Sequence, residues 1–248
     1  MRKVALVTGG SRGIGAATSM LLARNGFDVC INYKNNSAKA EQLLTQLRNY
    51  NSNCIAIQAD ISDEEQVVAL FNQIDIQLGT IGVLVNNAGI LKKQAPITEL
   101  SAARINDILT NNVTSAFLCC REAVKRMSTK RGGVGGSIVN VSSAASRLGA
   151  PGEYIDYAAS KGALDSLTIG LSKEVAAQGI RVNCVRPGFI YTNMHSDGGE
   201  PDRVDRIAAS IPMQRGGQPE EVAQAIYWLL SENASYVTGT FIDAAGGR

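Results

Sequence analysis

Histidine is nearly missing from this chain: His195 is the only one in 248 residues. That argues against a zinc site of the usual histidine-rich kind and against a Ser-His-Asp triad. His195 itself reads as a solvent-exposed loop residue. Cysteine is present but without pattern, because Cys30, Cys54, Cys119, Cys120 and Cys184 form no C-x-x-C and no pairing with histidine at metal spacing. They read as small buried residues, and no metal site is expected. No apolar run approaches the roughly 18–20 residues that a membrane span needs. The opening MRKVALVTGG starts basic, but its apolar stretch is too short for a signal peptide and runs straight into a glycine turn. Neither sign of charge dominates, with 24 Lys and Arg against 22 Asp and Glu. Without a basic block or an acidic tail, neither nucleic acid nor a membrane is an expected partner. With 45% hydrophobic and 19% charged residues the composition is ordinary globular, and a cytoplasmic protein is the default expectation.

What is present is an alternation of short apolar runs and amphipathic stretches. Strands are predicted at 3–8, 27–33, 53–58, 81–85, 137–141, 181–185 and 240–243. Helices are predicted at 16–25, 37–50, from 62 onward, 101–128, 155–178 and 219–231. Ser37 is a plausible N-cap, and Ser62-Asp63-Glu64-Glu65 has the S-x-x-E form of a capping box. Strand–helix alternation with short links predicts an α/β fold of about seven strands, a doubly wound parallel sheet with helices on both faces. No second domain, linker or internal repeat breaks residues 1–248, so one Rossmann-type domain is expected. The least regular part is 188–217, rich in Gly, Asp and Arg, which reads as a substrate loop.

Two features carry chemistry. Thr8-Gly9-Gly10-Ser11-Arg12-Gly13-Ile14-Gly15 follows the first strand and opens the first helix. Glycines there let the backbone turn sharply, and the helix N-terminus offers N–H groups and a positive dipole to a pyrophosphate. The second feature is Tyr157-x-x-x-Lys161, which puts a phenol and an ammonium on one helix face. Moving a tyrosine from its usual value near 10 to neutrality requires about 4 kcal/mol. A positive charge about 4 Å away, at an effective dielectric near 20, supplies about that much. Spacing alone is weak, since a helical surface pair explains it equally well. Asn86-Asn87-Ala88-Gly89 follows the fourth strand, at the carboxyl edge of the predicted sheet.

Taken in order, the TGGSRGIG turn, Asp60, the NNAG segment, Tyr157-x-x-x-Lys161 and Pro187-Gly188 resemble the short-chain dehydrogenase/reductase family over nearly the whole chain. The nearest subgroups are bacterial 3-oxoacyl-carrier-protein reductases and glucose 1-dehydrogenase-like enzymes. The resemblance implies a catalytic set of Asn112, Ser143, Tyr157 and Lys161, with Ser142 the alternative to Ser143. It implies that Gly9, Ser11, Arg12, Gly13, Ile14 and Gly15 hold the pyrophosphate. Asp60 and Ile61 would then meet adenine. Asn86 would lie against ribose beside Asn87, Ala88 and Gly89. Pro187, Gly188, Ile190 and Thr192 would hold the nicotinamide end. It further implies hydride transfer to a carbonyl, with Tyr157 as proton donor, Ser143 as second donor, Lys161 on the ribose, and a water held by Asn112.

Members specific for NAD place an acidic residue at the end of the second strand, whereas Asn32, Tyr33 and Lys34 stand here. Nothing there repels a 2′-phosphate, and Arg12 and Lys34 offer charge to bind one, so NADP(H) is expected over NAD(H). A homotetramer is implied by the resemblance. The expected substrate is a small-molecule carbonyl or alcohol, with a sugar as the alternative. An acyl carrier protein would need basic residues beside the pocket, and Lys130, Arg131 and Lys173 are the candidates. A non-catalytic nucleotide-binding regulator is the remaining reading from another class.

Overall fold

The predicted strands form a single sheet. In the computed structural model, which describes residues 3–51 and 53–248, they are β1 (Val4–Val7), β2 (Asp28–Tyr33), β3 (Ile55–Gln58), β4 (Ile81–Asn86), β5 (Gly136–Val141), β6 (Ile180–Pro187) and β7 (Phe241–Ala244). Their order is β3-β2-β1-β4-β5-β6-β7, and every neighbouring pair runs parallel. This is the doubly wound sheet the alternation predicts. Strand order reverses between β1 and β4, and the crevice at that point lies outside the carboxyl ends of both.

Period-two alternation divides each strand between two cores. Val4 and Leu6 of β1 face one side, where α3 (Glu64–Gln77), α5 (Ser115–Met127) and α7 (Ile155–Val175) cover the sheet. Ala5 and Val7 face the other side, covered by α1 (Gly13–Arg24), α2 (Ser37–Arg48) and α10 (Pro219–Leu230). The five cysteines are all buried and free. Among the described residues no helix is long and apolar enough to cross a membrane.

Several local expectations need correction. Asn36, not Ser37, caps α2, its side chain accepting from Lys39 N at 2.9 Å. Asp63, not Ser62, caps α3 by accepting from Glu65 N and Gln66 N. Ser62 instead donates to Asp60 Oδ1 at 2.6 Å, which holds the turn leaving β3. The stretch 101–128 is not one continuous α-helix. It contains α4 (Ala102–Leu109), a π-turn at Thr110–Thr114 and then α5. A π-turn forms where a side chain or a neighbour pulls the ladder out of step, and such turns recur at functional sites. Shorter α-helices are α6 (Ala145–Leu148) after β5, and α8 (Met194–Asp197) and α9 (Arg203–Ala208) within 188–217.

Candidate active site

The glycine turn and the start of α1 form one wall of a cleft of about 460 Å³ at the carboxyl edge. Gly9, Ser11, Arg12, Gly13 and Ile14 line it, facing Asn32, Tyr33, Lys34, Asp60, Ile61, Asn87, Ala88, Gly89 and Thr192. Gly15 works beneath the turn, because a Cβ there would lie 2.4 Å from Gly9 O and 2.6 Å from Asn87 Nδ2. Gly13 has φ +52°, and its missing Cβ leaves a gap that would otherwise close to 3.2 Å from Thr192 Cγ2. No side chain caps α1. An uncapped helix start opening into a cleft flanked by Arg12, Lys34 and Lys39 suits a phosphate-bearing dinucleotide in both shape and charge.

Of the residues assigned to this cleft, Asn86 serves the scaffold instead, and Asn32 serves both. Asn86 does not reach it. Its side chain is buried, donating to Asn140 Oδ1 at 2.9 Å and to Cys120 Sγ at 3.2 Å, because alternation along β4 turns it inward with Leu84. Asn87 faces the cleft and ties the β4 loop to the glycine turn through Thr8 O and Gly9 O. Asn32 lines the cleft, but its carboxamide is committed to Ala59 O at 3.0 Å. Lys34 is paired with Asp60 at 2.6 Å. Burial raises the Asp60 carboxyl, but the hydrogen bonds and charge from Lys34 and Ser62 outweigh it and hold the group below its ordinary value.

A second cavity, of about 380 Å³, shares Ile14, Asn87, Thr192 and Met194 with the first. Tyr157, Lys161 and Ser143 line it, as do Pro187, Gly188 and Ile190. The first turn of α7 is held by Asp156, which accepts from Tyr157 N at 2.9 Å and from Arg104 Nε at 2.7 Å. Ser143 stands beside the Tyr157 phenol, close enough to act against the rise in its pKa. Ser142 and Ser143 both border the cavity, but Ser142 spends its hydroxyl on Lys161 O, donating at 2.9 Å, whereas Ser143 stands beside the tyrosine.

Asn112 sits in the π-turn and braces the loop after β4. Its Oδ1 accepts from Ile90 N at 2.7 Å, and its Nδ2 donates to Ile90 O at 3.1 Å and to Ser160 Oγ at 3.0 Å. All three hydrogen bonds of the carboxamide go to protein partners. Ser160 Oγ in turn donates to Tyr157 O at 2.7 Å, which links the brace to the tyrosine's own turn. Asn112 Oδ1 and Lys161 Nζ converge under Gly89, each 3.4 Å from where a Cβ would stand.

Burial controls the titration of the pair. It pushes Tyr157 up to about 12, a rise that neighbouring Ser143 only partly offsets. It pulls Lys161 down to about 8, against the charges of Cys184 and Asp165. Lys161 Nζ lies 5.5 Å from the Tyr157 ring centroid and donates to Val141 O at 2.9 Å, over the ring and not at the hydroxyl.

A family model described as enoyl-(acyl carrier protein) reductase matches residues 9–248. An uncharacterized oxidoreductase, YgfF, of Escherichia coli (strain K12) is 65% identical over 99% of both chains. The 3-oxoacyl-[acyl-carrier-protein] reductase FabG of Staphylococcus aureus is 35% identical over 100% of this chain and 98% of its own. Glucose 1-dehydrogenase 2 of Bacillus subtilis (strain 168) is 34% identical over 99% of this chain and 94% of its own. The chain belongs to the short-chain dehydrogenase/reductase family.

This short-chain dehydrogenase/reductase is thus an oxidoreductase enzyme of a family that uses a nicotinamide nucleotide. Its segment 188–217 covers both cavities. Met194 Sδ lies 4.0 Å from the Tyr157 hydroxyl. Tyr154, which lacks a lysine four residues on, is buried and donates to Gly198 O at 3.2 Å. His195 is not exposed as expected. Its Nε2 is 3.0 Å from Ile190 O, and burial lowers its pKa against the opposing effect of that bond. Arg203 is buried too, paired with Glu153 and 4.7 Å above the Tyr154 ring. Met194 lines the cavity, as expected of the 188–217 segment, whereas Ser160, Asp197 and Arg203 escaped the sequence reading. Their contacts join segments about 50 to 185 residues apart, apart from Ser160's link to Tyr157, and no local pattern signals them.

Proposed function

We propose that this enzyme is an NADP(H)-linked ketoreductase acting on a small ketone or 3-oxoacyl thioester. The observation that carries the reading is Tyr157 and Ser143 standing together, with Lys161, in the wall of a cavity that adjoins the dinucleotide-sized cleft. A nicotinamide dinucleotide in that cleft supplies or accepts the hydride. Tyr157 donates the proton to the oxygen that becomes the alcohol, acting as general acid. Ser143 donates a hydrogen bond to the same oxygen and stabilises the charge developing on it. A phenol held up to about 12 is protonated throughout the physiological range, the form that reduction needs. Asn112 and Ser160 hold the β4 loop and the first turn of α7 in register. Lys161 sits beneath both, with its ammonium turned towards Gly89 on the cleft wall.

The NADP(H) preference rests on the charge at the adenosine end. Arg12, Lys34 and Lys39 line it, and Asn32 stands where an acidic residue would repel a 2′-phosphate. Docking of an acyl carrier protein on this chain's own pocket has no such support. Lys130 and Arg131 precede β5 and Lys173 ends α7, so all three lie at the amino-terminal edge of the sheet, opposite the cavity. A homotetramer is compatible with Phe117 on α5 and Ile169 on α7, both exposed, and light scattering measures it directly.

The relative named glucose 1-dehydrogenase favours sugar oxidation as the second reading. A screen of NADPH oxidation over a carbonyl panel including an acetoacetyl thioester, with glucose and NADP+ in reverse, separates the two. Turnover of glucose alone overturns the ketoreductase reading. Faster turnover with NADH than NADPH overturns the nucleotide preference.

A further inference from the structure

Arg12, the cation nearest the glycine turn, is already occupied. Its Nη1 lies 2.7 Å from Asp197 Oδ2, and both groups are about half exposed. Asp197 ends α8, the short helix that carries Met194 over the Tyr157 hydroxyl. Asp197, Met194 and Arg12 all line the nucleotide cleft. The bond therefore ties the cleft's turn to the segment that closes the second cavity. Lys34 is likewise paired, with Asp60, while Lys39 has no carboxylate within 4.0 Å among the described residues. A 2′-phosphate arriving at this end competes with Asp197 for Arg12.

We infer that Asp197 is a determinant of nucleotide selectivity that acts as the resident counter-ion of Arg12 and yields it to a 2′-phosphoadenosine group. This rests on the reading that Arg12 meets the 2′-phosphate. The exchange has two linked consequences. The carboxylate taxes binding of the phosphorylated nucleotide, and the phosphate releases α8 from the glycine turn. A nucleotide without the phosphate gains nothing from Arg12 and leaves the tie in place. A ligand shifts a conformational equilibrium only by its differential affinity for the two states, and the effect is reciprocal. Cutting the tie must therefore tighten phosphate binding by the same factor that phosphate loosens the tie. Exposed ion pairs hold such equilibria by up to about fivefold.

The test uses calorimetric titration of the full chain with 2′,5′-ADP and with ADP, for the wild type, Asp197→Asn, Arg12→Ala and the double variant. Asp197→Asn is expected to bind 2′,5′-ADP up to about fivefold more tightly than the wild type while ADP affinity stays unchanged. In the Arg12→Ala background the same substitution is expected to change neither. Hydrogen exchange at 193–199 in the wild type is expected to rise with 2′,5′-ADP and not with ADP. If Asp197→Asn leaves 2′,5′-ADP binding unchanged, or weakens both nucleotides together, the exchange is wrong and Asp197 merely ties the segment down. If Arg12→Ala binds 2′,5′-ADP as the wild type does, the underlying reading of Arg12 fails instead, and the two failures are told apart.

Discussion

Lys161 Nζ lies over the Tyr157 ring, 5.5 Å from its centroid, and spends a hydrogen bond on Val141 O. An ammonium placed over the face of a phenol ring is attracted by the ring quadrupole. Lys161 is buried and Tyr157 half-buried, and desolvation drives each towards its neutral form: the phenol up to about 12 and the ammonium down to about 8. In the free protein the pair is held back from the ion pair that the spacing suggested. Ultraviolet titration of tyrosinate checks this by difference between the wild type and Tyr157→Phe. The expected difference is flat through the region near 10 where ordinary tyrosine ionises and grows only towards 12. A difference signal centred near neutrality contradicts it.

The same shifts fix the sign of a stability profile. Lys161 titrates at about 8 when folded against 10.5 ordinarily, so between those values the unfolded chain binds the extra proton. Stability then rises with pH across that window, by roughly 3 kcal/mol in total at full effect. Tyr157 works in the opposite direction at higher pH. Its folded value is raised, so the stability it contributes is present below 10 and lost as pH climbs towards 12. Denaturant melts across this range are expected to give a rise and then a fall. In Lys161→Met the rise should disappear while the fall remains, and an unchanged rise in that variant places its origin elsewhere.

Turnover discriminates between the two hydroxyls on the cavity wall. Tyr157→Phe keeps the ring and removes the proton, so it is expected to abolish reduction while nucleotide titration still shows binding. Ser143→Ala removes one of two donors to the developing charge, and a loss of about 100- to 1000-fold in kcat is the usual scale for that. Ser142→Ala, by contrast, loses only a scaffold bond to Lys161 O and should lower thermal stability more than kcat. Substantial activity in Tyr157→Phe would remove the tyrosine from the proposed role.

The sheet and its crevice were legible because they depend on short-range patterns: β-branched runs with period two, a glycine turn between strand and helix, and a second loop after β4. The same alternation also explains the misplacement of Asn86. Val83 and Val85 face one core, Leu84 faces the other, and Asn86 follows Leu84 inward, leaving Asn87 for the cleft. The π-turn was hidden because helical periodicity continues across it. Within it Asn112 reaches out of the helix to Ile90, 22 residues earlier. The 188–217 segment was legible as irregular and no further. Its two short helices are held by Arg203 on Glu153, Asp197 on Arg12 and Gln94 on Glu200. Such polar contacts across the fold leave no apolar period to read, which is why His195 was placed on the surface.

The Asn112 brace can be separated from chemistry by a double-mutant cycle. Asn112→Ala leaves Ile90 N and O without their side-chain partner in a largely buried site, and each stranded group costs about 1–3 kcal/mol. Ser160→Ala removes one contact of the same carboxamide together with its own bond to Tyr157 O. Since Asn112 and Ser160 touch, the double variant is expected to lose less stability than the sum of the single losses, with a coupling of about 0.5–3 kcal/mol. Asn112→Asp is more informative still, because the carboxylate keeps the acceptor for Ile90 N and loses the donor to Ile90 O and Ser160. It should melt below the wild type at neutral pH and recover part of the difference in acid, where a protonated carboxyl regains one donor. If Asn112→Ala lowers kcat sharply with thermal stability intact, Asn112 acts in the reaction beyond bracing Ile90, and the brace is the smaller part of its role.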